Sequence, residues 1–246
     1  MNFKDRLYEV YVSSEQAGGA TLNELQNGKQ LFSGNGPYIA QLIKRHIPAD
    51  RNIRIWDLGC GHGAHLYFLK QLGYQNLVGI DTSAEQVKLA HQLGVEQVQC
   101  GEIEEFLSRD GQAADVVLLI DILEHLPLSL AFDLLDKIFS KLSQGGRLII
   151  HVPNAEGLYG MRVRYGDLTH ELAFTPTSIR QLLRTIGFST VTYTEDKPVV
   201  HGIVSFIRRV LWGILTAPHR LLLMAETGHK RFILSQNMLV VAQKGA

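Results

Sequence analysis

Asp57-Leu58-Gly59-Cys60-Gly61-His62-Gly63 sets three glycines at alternate positions directly behind a carboxylate. Without side chains the backbone turns tightly and comes close to a ligand, which then meets the N–H groups that open the next helix. The same glycines, continued to Ala64, satisfy the G-x-G-x-x-A dinucleotide pattern, with an acid, Asp81, about 20 residues further on. Loop and acid by themselves therefore fit a NAD-dependent oxidoreductase as well as other adenosine-containing ligands.

The neighbours narrow the choice. Asp57 puts negative charge where a dinucleotide pyrophosphate would approach, and so suits an ammonium group. Asp81 closes Gly79-Ile80-Asp81, where two carboxylate oxygens accept both hydroxyls of a ribose. Thr82 follows it, and capping of the next helix is served by Ser83. Gly101-Glu102-Ile103 offers an acceptor for an adenine amine with an apolar face beside it, although Glu102 also reads as a first-turn acid favoured by the helix dipole. Asp121, followed by Ile122, ends an apolar run in which an unpaired carboxylate is costly, so it is expected to face a cleft. The expected cofactor residues are thus Asp57, Gly59, Gly61, Gly63, Asp81, Thr82, Glu102, Ile103, Asp121 and Ile122.

Such residues meet only if a scaffold gathers strand ends. Short apolar runs at Ile53–Asp57, Asn76–Ile80, Glu96–Gln99, Asp115–Ile120 and Arg147–Val152 alternate with helix-length segments at Ala64–Gln71, Ala84–Leu93, Ile103–Ser108 and Ser129–Leu142. That rhythm predicts βαβ units around a buried parallel sheet, whose ligands lie beyond the carboxyl ends of the central strands. Leu130, Leu134, Ile138 and Leu142 predict the buried stripe of the last of these helices. After Val152 a polar loop runs to about Phe174, and Thr175-Pro176 then opens a helix that Gly187 ends. With Thr190–Thr194 and Asn237–Ala242 added, the expected fold is a doubly wound, Rossmann-like α/β domain with a seven-stranded, mostly parallel sheet. Residues 1–50 are expected to form a helical N-terminal cap, 51–246 the main domain, and about 199–225 a helical insertion before the last strand.

Composition restricts the partners. Lys+Arg and Asp+Glu balance at 24 each, so no global field draws in nucleic acid, and none is expected as a partner. Cys60 and Cys100 lack CxxC spacing, which argues against zinc and for a reducing, cytoplasmic setting; no metal is assigned. The first residues mix acid and base without an apolar core and do not read as a secretory signal. Val199–Ala225 is apolar but interrupted by Arg208, Arg209, Pro218, His219 and Arg220, too broken to span a bilayer. Its Phe206, Val210, Leu211, Ile214, Leu215, Leu221 and Leu222 either pack on the sheet or the N-terminal cap, or make a peripheral contact at the inner face of a membrane. Nothing in the sequence sets an oligomeric state.

As a set, the residues from Ile53 to Asn154 resemble the class I S-adenosylmethionine-dependent methyltransferase superfamily. Asp57 to Gly63 matches its D-x-G-x-G-x-G loop and Asp81 its ribose acid. Asp115-Val-Val-Leu-Leu-Ile-Asp121-Ile-Leu-Glu124-His125-Leu126 is similar to its fourth-strand motif and the L-E-H-L turn that follows. Leu142-Ser-Gln-Gly145-Gly146-Arg147 is similar to the L-K-P-G-G before its fifth strand, with Ser143 and Gln144 replacing Lys and Pro. The resemblance implies S-adenosylmethionine as cofactor and methyl transfer as reaction. Tyr165-Gly-Asp167-Leu-Thr169-His170-Glu171 and Phe174-Thr-Pro176 are similar to segments of bacterial methyltransferases linked to surface polysaccharide and lipid assembly. That likeness implies a small-molecule acceptor, a hydroxyl of a sugar, glycan or lipid precursor.

Methyl transfer from a sulfonium chiefly needs the acceptor held in line, and a hydroxyl acceptor also needs a base near neutral pKa, which histidine supplies. Among ten histidines, His46, His91, His219 and His229 read as solvated, His151 as buried in a strand, and His62 and His65 as neighbours of the glycine loop. His170, in a polar loop beside Asp167 and Glu171, and His125, after the fourth strand, are the expected catalytic residues. The alternatives are the oxidoreductase and a methyltransferase-like binding module without chemistry.

Overall fold

Each apolar run read as a strand pairs into one sheet: β1 (Arg54–Leu58), β2 (Asn76–Asp81), β3 (Val98–Cys100), β4 (Ala114–Ile120), β5 (Leu142–Pro153), β6 (Thr190–Glu195) and β7 (Asn237–Gln243). The structure is a computed structural model and describes residues 34–109, 111 and 113–245. Of the expected N-terminal cap, residues 1–33 lie outside the described residues. The strand order is β3-β2-β1-β4-β5-β7-β6. Pairs from β3 to β5 are parallel, while β7 runs antiparallel to both β5 and β6. Chain order reverses between β1 and β4, a switch point that opens a crevice beyond the carboxyl ends of these strands.

Helices α1 (Gly36–His46), α2 (Ala64–Gln71), α3 (Ala84–Gln92), α4 (Ile103–Ser108), α5 (Leu128–Lys141), α6 (Gly160–Gly166), α7 (Pro176–Ile186) and α8 (Ile203–Thr227) complete the described elements. Alternate residues of the central strands feed two cores. Trp56, Val117, Leu119, Leu148 and Ile150 point to the side covered by α5 and α7. Ile55, Val116, Leu118 and Ile149 point to the side covered by α1, α2 and α3. Both faces being dry, these strands show no polar alternation, and each large aliphatic side chain removed from water contributes about 1.5–3 kcal/mol.

Three boundaries depart from expectation. The buried stripe of α5 is Ala131, Leu134, Leu135 and Ile138, while Leu130 is 50% exposed. Leu142 belongs to β5, which starts there because it pairs with Ala114 before a register shift, and Gly145 takes the positive φ of +72° that the shifted strand demands. β3 covers only Val98–Cys100, since Val95 is spent in the core beneath α3 rather than in the ladder.

The insertion is helical as expected, but it does not pack on the sheet. In α8 the buried side chains are Ser205 and Thr216, whereas Ile203, Ile214, Leu215 and Leu222 are more than 60% exposed. Among the described residues, the contacts that tie the helix to the sheet edge are polar. Arg220 donates to both oxygens of Glu195 at 2.6 and 2.7 Å and to the Phe232 carbonyl at 2.8 Å. Glu195 is the last residue of β6 and pairs with Met238 near the start of β7, so the insertion leaves and rejoins the sheet at one point. Because β6 runs parallel to β5, that point lies on the edge where the crevice opens. Among the described residues no helix is long and apolar enough to cross a membrane.

Candidate cofactor and acceptor site

Gly59, Gly61 and Gly63 take φ values of +74°, +53° and +76°, which residues with a Cβ adopt only at a cost. Gly59 is also crowded, since an added Cβ would lie 2.1 Å from Ile122 Cδ1. The N–H groups of Gly59 and Cys60 both donate to the Ile80 carbonyl, at 2.8 and 3.1 Å. Asp81 receives Gly61 N–H on one carboxylate oxygen at 2.7 Å and Ser83 N–H on the other at 2.9 Å. Each of those oxygens keeps a lone pair for a further donor. Burial pushes the Asp81 carboxyl up, against the pull of these two N–H bonds. Ser83 caps α3 by accepting from Gln86 N–H, so Asp81 is not needed for that task.

Asp57 is 1% exposed, and its Oδ2 has no hydrogen-bond partner. His65 Nδ1 lies 3.9 Å from that oxygen. Burial, then the charge of Asp81, push the Asp57 carboxyl up to about 7, while burial takes His65 down to about 4 and keeps it neutral. A buried acceptor without a donor costs on the order of 1–3 kcal/mol, so this position fits a cationic N–H donor from a ligand. Glu102 is exposed and precedes α4 without bonding the helix through its side chain. Ile103 is half-buried against the core, and Thr82 is exposed. Gly101 N–H, bonded to the Asp81 carbonyl at 3.0 Å, holds this turn beside the end of β2.

Asp121 ends β4 with φ +55°, the non-glycine residue in the left-handed region among the described residues. Its side chain is 54% exposed and its carboxylate bonds His151 Nδ1. His151 Nε2 meets Asp196 Oδ2 at 2.5 Å, and Tyr38 donates to Asp196 Oδ1 at 3.0 Å. With a carboxylate on each ring nitrogen, His151 must donate from both and is an imidazolium. Burial opposes that charge, but Asp121 and Asp196 hold its pKa well above the usual value. Burial likewise works to raise Asp121, and the charge of His151 outweighs it, leaving the carboxyl below its ordinary range. This chain from β4 through β5 to the end of β6 and α1 was not expected from sequence; a histidine inside an otherwise apolar strand was its one signal.

The expected catalytic histidines do come together. Leu123–His125 form a short 3₁₀ turn after β4, and the loop after α6 is stapled to it by Glu171 and Leu172 N–H groups donating to the Glu124 carbonyl at 2.6 and 3.0 Å. The rings of His125 and His170 meet edge to face, with centroids 4.6 Å apart. Thr169, fully buried, gives its hydroxyl proton to Asp167 at 2.6 Å and so accepts from His125 Nδ1 at 2.8 Å. His170 Nδ1 donates to the Val163 carbonyl at 3.0 Å. In the neutral form of each ring, Nδ1 is then the donor and Nε2 the acceptor. Glu124, 1% exposed, lies beside them with Oε2 lacking a hydrogen-bond partner. Burial and then Asp121 push its carboxyl up to about 8.

A family model described as a methyltransferase domain matches residues 30–193. A SAM-dependent methyltransferase from Archaeoglobus fulgidus is similar in structure with TM-score 0.63 and 24% identity, covering 88% of this chain and 97% of its own. Magnesium protoporphyrin IX methyltransferase from Synechocystis, solved with bound S-adenosylhomocysteine, gives TM-score 0.58 at 16% identity over 98% of this chain and 100% of that one. A possible histamine N-methyltransferase from Thermotoga maritima gives 0.59 at 17% identity, over 88% and 93%. No curated protein matches the chain. The solved structures share the fold, and the family model, covering most of the sheet and its loops, sets the oxidoreductase reading aside. This chain belongs to the methyltransferase-domain family and is an S-adenosylmethionine-dependent methyltransferase.

Proposed function

We propose that the enzyme methylates a hydroxyl of a sugar, glycan or lipid precursor, and that His125 and His170 handle the hydroxyl. The observation that carries this is the histidine pair: two rings in contact, each with its Nδ1 held by a protein oxygen. A hydroxyl must lose its proton to accept a methyl group, and a pair of imidazoles suits that need. S-adenosylmethionine, when bound, supplies a methyl group made electrophilic by its sulfonium. Asp57 Oδ2 takes the ammonium of the methionine part, and Asp81 offers both oxygens to the ribose hydroxyls. Thr82, Glu102 and Ile103 border the adenine. Gly59, Gly61 and Gly63 let the backbone approach, with Ile122 packed over Gly59, and Asp121 fixes the floor between the two ends.

The lipid option is supported by what surrounds α8. Its apolar side chains face outward, and Arg45, Lys197, Arg209, Arg220, Lys230 and Arg231 line a cavity beside it. Apolar surface next to concentrated positive charge suits a peripheral contact with an anionic membrane. Lipid and glycan extracts incubated with the enzyme and a deuteromethyl-labelled cofactor should yield a labelled ether detectable by mass spectrometry. Undiminished turnover in both His170→Ala and His125→Ala would remove the histidines from the reaction. Tight cofactor binding with no labelled product from these extracts would place the acceptor outside the sugar, glycan and lipid classes.

A further inference from the structure

The three groups at the acceptor end are more than a base and its neighbour. Glu124, His125 and His170 each offer one ligand atom, and these atoms all lie within 4.8 Å of one another. Around a first-row ion with bonds of about 2.0–2.2 Å, ligand atoms stand about 3–4 Å apart, so sub-ångström movements of each side chain close the set.

Two further observations point to a ligand. Glu124 Oε2 is buried with no hydrogen-bond partner, although its backbone carbonyl is doubly bonded by Glu171 and Leu172. A dry acidic oxygen left without a donor on a fixed turn is a position that a bound cation would complete. Both imidazoles also have their far nitrogen oriented: His125 through Thr169 to Asp167, and His170 through the Val163 carbonyl. Metal-bound histidines are regularly held this way, the second nitrogen donating to a carbonyl or carboxylate-linked group so that ring and lone pair are aimed.

We propose that Glu124, His125 and His170 bind one divalent first-row transition-metal ion, with open positions for the acceptor. Two imidazoles and one carboxylate suit Zn²⁺, Co²⁺, Fe²⁺ or Mn²⁺ over Mg²⁺ or Ca²⁺, which take oxygen ligands. Cysteine spacing, the ground for assigning no metal from sequence, does not bear on a set without thiolates. The proposal deepens the hydroxyl reading and rests on it for its chemistry. The ion acidifies the acceptor hydroxyl; the O–H bond breaks with its proton passing to water, and the O–CH₃ bond forms as the S–CH₃ bond breaks with its electron pair left on sulfur. His125 and His170 then act as ligands rather than as direct bases.

The test uses the full chain freed of metal with a chelator and titrated with Co²⁺, whose visible bands report imidazole and carboxylate ligation. Wild type should bind one Co²⁺, displaced by Zn²⁺ and not by Mg²⁺. Glu124→Gln, His125→Ala and His170→Ala should each lose the bands, and Thr169→Val should weaken binding about ten- to a hundredfold through the orientation of His125. S-adenosylhomocysteine affinity, measured on the same samples, should stay at the wild-type value and certifies that each variant is folded. Absence of Co²⁺ and Zn²⁺ binding by wild type overturns the proposal, as do unchanged bands in folded Glu124→Gln and His170→Ala. Full methyl transfer by the metal-free enzyme overturns it while leaving the hydroxyl reading intact. Specific Co²⁺ binding with an amine as the methylated product keeps the metal site and overturns the hydroxyl reading instead.

Discussion

At the cofactor end of the cleft Gly61 donates to Asp81 across 20 residues of chain, whereas at the acceptor end His125 reaches Thr169 across 44. The first contact lies inside one βαβ unit, and its geometry follows from strand register and three glycines. The second joins two loops that no periodicity governs, and the Glu124 carbonyl staples one loop to the other. A donor site made by the fold itself stays constant, and an acceptor site made by loop docking is free to differ.

The sharpest way to break that contrast is at the acceptor end. His170→Ala should lower kcat about 10²- to 10⁴-fold with the affinity for S-adenosylhomocysteine unchanged by calorimetry; a parallel loss of affinity would mean the two ends are one unit. The converse change, Asp57→Asn, removes a buried charged acceptor worth about 1.5–3 kcal/mol and should weaken the same ligand about ten- to a hundredfold. Without ligand that variant should show the opposite sign. The Asp57 carboxyl is raised to about 7 in the folded state, so its stabilising contribution is full below about pH 4 and is lost as pH rises through about 7. Thermal unfolding should therefore show Asp57→Asn gaining on wild type between pH 5 and pH 8, and a constant difference would contradict the burial argument. The smallest effect belongs to α8: Leu215, 66% exposed, can become Ser with a stability change within about 0.5 kcal/mol, while flotation with anionic vesicles should drop.

The sheet and the glycine loop were legible because apolar runs, glycines and a strand-end acid are local signals. The α5 stripe was misjudged at Leu130 because a leucine at helical spacing looks buried until Ala131, with no bulk to hide, is seen to face the sheet. The start of β5 was hidden by Gly145-Gly146, which reads as a turn when the partner Ala114 is not in view. His125 and His170 were each expected separately, but their contact and the place of Glu124 beside them depend on how two loops dock. The left-handed backbone of Asp121 and its bond to His151 were beyond pattern, since an aspartate at a strand end announces neither.

One consequence follows from where α8 leaves the sheet. Glu195 and Met238 already face each other in the β6–β7 ladder, so residues 196–236 close a loop whose ends are pinned whatever their length. Loop-closure entropy grows only logarithmically, about 0.6 kcal/mol for each doubling. Length at this position is therefore thermodynamically cheap, and segments of quite different size could replace α8 between Glu195 and Asn237 while the register of the sheet stays as it is.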